Sequence, residues 1–168
     1  DPEWKAARFY GESWFSGDTA NVSIGQGFLL LTPMQMATFA ASLARETTFL
    51  QPTLLHDKGP PHTGGPIGLD SRALELVREG MRQAGATGTA RLAGSPELPV
   101  AGKTGTAQIR KDGKPTTLAW FVGYAPVARP RIAVAVLIEG VPDQATEYGG
   151  GATAAPIARD VFRQFLRP

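Results

Sequence analysis

The sequence predicts an α/β domain of the α+β type, a three-stranded antiparallel meander with helices packed on it. Three observations carry this. Apolar, β-branched runs recur between residues 100 and 139, joined by connections too short for a crossover helix. Two earlier stretches space apolar residues three and four apart behind helix-start signals. One stretch at the end repeats that helical spacing.

Residues 1–27 hold Trp4, Phe9, Tyr10, Trp14 and Phe15, then Gly17, Gly25 and Gly27. They read as irregular, with one short helix near Glu3 to Phe9. Thr32-Pro33 opens the next helix, because Thr caps well and Pro suits the first helical position. Its expected apolar face is Met34, Ala37, Ala41, Leu43 and Ala44, whose alanines suggest close packing on a sheet or another helix. It should end around Arg45 to Thr48. Residues 51–68 carry four prolines and three glycines before Gly68, which predicts a loop with a short strand at Thr53–Leu55. Asp70 or Ser71 caps the following helix. Leu74, Val77, Met81 and Ala84 face inward there, with Arg72, Glu75, Arg78, Glu79 and Arg82 solvated and Gly85 and Gly88 ending it. Ser95 to Pro99 is a connector.

The expected strands are Val100 to Ile109, Leu118 to Tyr124 and Arg131 to Glu139, with a tight turn at Lys111-Asp112-Gly113-Lys114. Residues 140–151 read as a loop. A final helix from Ala152 to Leu166 should bury Ile157, Val161, Phe162 and Phe165 and solvate Arg159, Arg163 and Arg167.

Composition excludes several functions. The 168 residues contain no Cys, which removes disulfide scaffolds and Cys-ligated zinc. Hydrophobic residues make up 42%, and the net charge is +2, so the chain is neither disordered nor a strong polyanion binder. No nucleic-acid partner is expected. The longest apolar runs, Phe28 to Leu31 and Ile132 to Ile138, fall far short of the roughly 20 residues of a membrane span. No signal peptide is visible, and Asp1-Pro2 reads as an engineered or cleavage boundary.

The strongest local motif is Lys103-Thr104-Gly105-Thr106 on the first strand. Gly102 and Gly105 lack side chains, so another backbone can approach, and a peptide could add along the strand edge. Lys103 would bring an ammonium to the cleft. Thr104 and Thr106, two residues apart, place hydroxyls on one side of the strand, suited to a terminal carboxylate. The Thr106 N–H could serve an oxyanion.

Lys-Thr-Gly is also the third sequence element of the serine penicillin-recognising enzymes. Other segments extend that likeness in order along nearly the whole chain: Gly17 to Asn21 with Gly25-Gln26-Gly27, Thr32 to Gln35, Gly80 to Arg82, Gly88 to Ala90, Trp120 to Pro126, and Ala154 to Ala158 with Phe162. Together they resemble a class B penicillin-binding protein, a peptidoglycan D,D-transpeptidase. Pro2 to Lys5 and Arg8 to Tyr10 look like its elongation, rod-shape type. The resemblance implies the C-terminal part of the serine β-lactamase/transpeptidase-like fold. It also implies Lys103 and Thr106 in catalysis, and Thr104, Gly105 and Thr106 on the substrate. No metal or organic cofactor is implied.

One departure matters. The family uses Ser-x-x-Lys, where Ser is the nucleophile, and Ser-x-Asn. The residues three before Lys5, Lys58, Lys103, Lys111 and Lys114 are Pro2, Leu55, Val100, Gln108 and Lys111, none of them Ser. Thr19-Ala20-Asn21 mimics Ser-x-Asn but sits beside Gly25-Gln26-Gly27, a different segment. Residues 1–168 are therefore expected to be a partial transpeptidase domain, without both motifs, and inactive alone. The remaining N-terminal part, stem peptides ending in D-Ala-D-Ala, β-lactams and an elongation-machinery glycosyltransferase are the partners the resemblance implies. The location it implies is the outer face of the bacterial cytoplasmic membrane, with the anchor elsewhere. Self-association of the isolated chain is expected. A relative of the β-lactamases and a non-catalytic interaction module are the alternatives. Ser42-x-x-Arg45 offers no base, because Arg stays charged. His56, Asp57 and His62, and likewise Glu139, Asp143 and Glu147, read as solvated loop residues. Trp120, Phe121 and Tyr124 read as core and sheet surface.

Overall fold

The computed structural model describes residues 1–46, 51–54, 66–68, 70–141 and 148–167. Two compact units divide it, Asp1–Leu31 and Thr32–Pro168.

The first unit contains α1 (Pro2–Arg8) and α2 (Ser16–Ser23). Asp1 caps α1 by accepting from the Trp4 N–H at 2.7 Å, with Pro2 at the first turn. The sequence pattern missed α2, since its residues, SGDTANVS, show no apolar stripe. Its start is fixed by Asp18, whose carboxylate accepts from the Phe15 N–H at 2.8 Å and from Lys5 Nζ at 2.8 Å. Lys5 is only 3% exposed. Its ammonium also lies 4.7 Å from the Phe15 ring centroid and 5.4 Å from that of Phe28. Trp4, Phe9 and Phe28 pack edge to face or tilted at 5.2 to 5.9 Å.

In the second unit α3 (Pro33–Arg45) begins as expected, with a reciprocal box. Thr32 Oγ1 accepts from the Gln35 N–H at 3.2 Å, and Gln35 Oε1 accepts from the Thr32 N–H at 2.8 Å. The buried face is rotated from the expected one. Met34 is exposed, while Thr38, Ala40, Ser42 and Leu43 are buried. The two hydroxyls tolerate burial because they donate to Met34 and Thr38 carbonyls on their own helix, at 2.8 and 3.0 Å. Ser42 is thus a packing residue. Of the strand expected at Thr53–Leu55, Thr53 and Leu54 are not in a strand, and Leu55 lies outside the described residues.

α4 (Ser71–Ala86) starts at Asp70, which accepts from the Ala73 N–H at 2.8 Å. Leu74 and Met81 are buried, but Val77 is exposed. Gly85 lies inside the helix instead of ending it, and a Cβ there would stand 1.9 Å from the Val100 carbonyl oxygen. A single 3₁₀ turn at Arg91–Ala93 follows.

The sheet is β1 (Ala101–Lys111), β2 (Lys114–Ala125) and β3 (Ile132–Glu139), antiparallel in the order β1-β2-β3. Asp112 and Gly113 both have positive φ, 51° and 77°, the requirement of a two-residue type I′ turn. Registers such as Thr104 opposite Phe121, and Phe121 opposite Val136, sort side chains into two faces. One face carries Val100, Phe121 and Val134 beneath α5 (Ala155–Leu166). The other carries Ala101, Tyr124 and Ala133 beneath Leu43, Leu74 and Met81 of α3 and α4. Phe121 and Tyr124 are therefore core, on opposite faces.

A wide π-type turn, Gly150–Ala154, leads into α5, so the regular helix begins three residues later than expected. The buried stripe also differs: Ala155, Ala158 and Phe162 face the sheet, whereas Ile157, Val161 and Phe165 are exposed. Alanines let the helix approach closely, and Phe162 meets Phe121 edge to face at 6.1 Å. No described helix is long and apolar enough to cross a membrane.

Candidate active site on the first strand

Lys103, Thr104, Gly105 and Thr106 lie in the first half of β1, a strand that among the described residues is paired on one side only. Alternation sends Thr104 and Thr106 to the α5 face and Lys103 and Gly105 to the other. The expectation that the two hydroxyls share a side therefore holds.

Their surroundings differ. Lys103 is exposed, and its Nζ donates to the carbonyl of Thr104. Thr104 is 8% exposed, and its hydroxyl donates to Thr89 Oγ1 at 2.7 Å. Thr106 is exposed, and its Oγ1 accepts from the Gly150 N–H at 3.4 Å. Thr89, between α4 and the 3₁₀ turn, and Gly150 carry no role in the sequence reading. They lie 15 and 44 residues along the chain from the threonines they meet, and the fold brings them to β1.

The glycines act differently from expectation. A Cβ at Gly102 would fall 2.6 Å from the ring of Phe121, so that vacancy is filled by the chain's own core. At Gly105 a Cβ would meet only the Trp120 Cβ, at 3.5 Å. The close backbone approach at this point is made by Gly150, whose own Cβ would lie 2.5 Å from the Gly105 oxygen and 2.3 Å from the Trp120 oxygen. This leaves the open edge of β1, not its faces, for a docking backbone.

Other candidates fall away or lie outside the described residues. Glu139 is exposed and accepts from Lys111 Nζ, an interaction that holds the Lys111 amine above its ordinary pKa. Asp143, Glu147, His56, Asp57 and His62 lie outside the described residues. No cluster of three His, Cys, Asp or Glu that could hold a metal occurs among the described residues. A cleft lined by Glu46, Leu74, Arg78, Arg82, Tyr124 and Val127 includes none of residues 103–106.

The family described as penicillin binding protein transpeptidase domain matches residues 4–163. The peptidoglycan D,D-transpeptidase MrdA of Acinetobacter baumannii is 34% identical over 187 residues, covering 99% of this chain and 27% of that protein. Penicillin-binding protein A of Mycobacterium tuberculosis, solved as a ceftriaxone acyl-enzyme complex, superposes with a TM-score of 0.79 at 31% identity. That match covers 91% of this chain and 36% of the other. Pseudomonas aeruginosa PBP2, solved in complex with WCK 5153, gives a TM-score of 0.73 at 32% identity, covering 100% and 36%. The chain thus spans little more than a quarter of the length of the first of these relatives.

Proposed function

Because this chain belongs to the penicillin-binding protein transpeptidase family, we propose that it is the C-terminal part of an elongation-type peptidoglycan D,D-transpeptidase domain. One observation carries the reading furthest. The Lys-Thr-Gly-Thr run lies on an edge strand, with both hydroxyls on one face and the ammonium on the other.

A stem peptide ending in D-Ala-D-Ala adds to the open edge of β1 through main-chain hydrogen bonds. Its terminal carboxylate is held by the hydroxyls of Thr104 and Thr106, and Lys103 raises the positive potential beside it. A serine supplied by the N-terminal part of the domain attacks the penultimate D-Ala carbonyl. The oxyanion that forms is met by the Thr106 N–H, the terminal D-Ala leaves with a proton, and an acyl-enzyme remains. An amine of a second stem peptide then attacks the acyl carbonyl, forming the cross-link and freeing the serine. β-Lactams, as mimics of the D-Ala-D-Ala end, stop at the acyl-enzyme. The setting is the outer face of the cytoplasmic membrane, beside a glycosyltransferase of the elongation machinery.

Fluorescent penicillin tests this directly. These 168 residues alone should take no covalent label, and a polypeptide joining them to a segment bearing Ser-x-x-Lys and Ser-x-Asn should be labelled. In that longer protein Lys103→Ala should slow acylation about ten- to a hundredfold, the worth of one charge-assisted hydrogen bond. Stable labelling of the 168 residues alone, or an unaffected Lys103→Ala rate, contradicts the proposal.

A further inference from the structure

Thr104 is buried to 8% exposure, and the partner of its hydroxyl is another hydroxyl, Thr89 Oγ1, at 2.7 Å. A hydroxyl has one proton to give and two lone pairs to receive with. While the Thr104 proton points at Thr89, it cannot also point at a ligand carboxylate. The conflict resolves if the pair exchanges roles, with Thr89 donating to Thr104 and Thr104 donating outward. Only a residue that both accepts and donates can support both states.

Thr89 is also well placed to do this. It sits in the turn between α4 and the 3₁₀ segment, fixed on either side by the Ala90 N–H to Ala84 carbonyl bond at 3.0 Å and the Arg91 N–H to Gly88 carbonyl bond at 3.2 Å. From the α5 side Gly151 presses so close that a Cβ there would lie 2.6 Å from the Thr89 carbonyl oxygen. The neighbouring Gly150 N–H meets Thr106 Oγ1. Thr89 and Gly150 thus each meet one hydroxyl of the motif, and Gly151 braces Thr89.

We infer that Thr89 is a positioning residue for the Thr104 hydroxyl, and that its donor–acceptor exchange lets Thr104 present a proton to a substrate carboxylate. This rests on the reading of Thr104 and Thr106 as the carboxylate-holding pair.

The test uses isotope-labelled protein of these 168 residues and its Thr89→Val and Thr89→Ser variants. Three-bond couplings to Thr104 Cγ2 report its rotamer. One rotamer is expected in the parent and in Thr89→Ser, and rotamer averaging in Thr89→Val, with thermal melts alike. A Thr104 side chain still locked in Thr89→Val overturns the inference. A measurement without variants guards against a misfolded Val form. In the parent the Thr104 hydroxyl proton should exchange slowly enough to be observed, and fast exchange also overturns the inference. Titration with N-acetyl-D-alanyl-D-alanine and with its C-terminal amide then adds the ligand. Thr89→Val should weaken the acid about tenfold, leave the amide unchanged, and be rescued by Ser. If Thr104 loosens in Thr89→Val but the parent ignores the acid, the positioning stands and the carboxylate reading falls.

Discussion

Gly85 sits where a methyl group has no room. A Cβ there would lie 1.9 Å from the Val100 carbonyl oxygen, which belongs to backbone and cannot swing aside. Gly85→Ala must lift α4 off the start of β1, and a loss of about 1–3 kcal/mol in denaturant unfolding is expected. Gly80, on the same helix, has nothing within 4 Å of its would-be Cβ, so Gly80→Ala should be neutral or stabilising, up to about 1 kcal/mol. The sequence pattern places Gly85 at the end of the helix, because propensity sees backbone freedom and not the neighbour. Glu79 gives a second test at this scale. Two hydrogen bonds from Arg82, at 2.7 and 2.6 Å, and one from Gln83 hold its pKa at about 2 instead of 4.5. A depressed folded-state value means the stabilisation is present above pH 4.5 and is lost as the pH falls toward 2. An NMR titration of the Glu79 carboxyl carbon should show that low midpoint, and Arg82→Ala should return it toward the ordinary value.

α5 shows how an element can be legible while its orientation is not. Apolar residues at 157, 161, 162 and 165 announce a helix, and the same set suggests they are its core stripe. Only Phe162 of the four is buried, because the sheet selects the face carrying Ala155 and Ala158, where the helix axis can come close. α3 repeats the lesson: Thr38 and Ser42 face inward because their hydroxyls are satisfied within the helix, which a polar-out pattern cannot anticipate. The three strands, by contrast, were legible to within a few residues, since alternation, the Asp112-Gly113 turn and short connections agree. α2 was invisible because its start depends on Asp18 being held by Lys5, a contact set by the fold of residues 1–31. The two sides of α5 should respond differently to truncation. Phe162→Ala empties a fully buried site against Phe121 and should cost about 3–5 kcal/mol in denaturant unfolding. Phe165→Ala, on the exposed side, should change stability by less than about 0.5 kcal/mol.

At the scale of the whole molecule, the sheet has, among the described residues, two unpaired edges of contrasting character. The β1 edge runs through Lys103 and Arg110, charges that discourage strand-to-strand pairing between copies. The β3 edge runs from Ile132 to Ile138 as Ile-Ala-Val-Ala-Val-Leu-Ile, without a charge, proline or glycine to interrupt it. An apolar edge of this kind can template pairing with another chain. The exposed Ile157, Val161 and Phe165 of α5, which packs partly against β3, add apolar surface on the same unit. The motif needed for the proposed chemistry is thus on the edge that is protected, and the association tendency belongs to the other. These 168 residues should self-associate through β3 as concentration rises, seen as a growing weight-average mass in light scattering. Ala135→Lys, a half-buried position midway along β3, should move the population toward monomer, whereas Ala107→Lys on β1 should not. A monodisperse monomer at all concentrations, or equal effects of the two lysines, would show that β3 is not the associating edge.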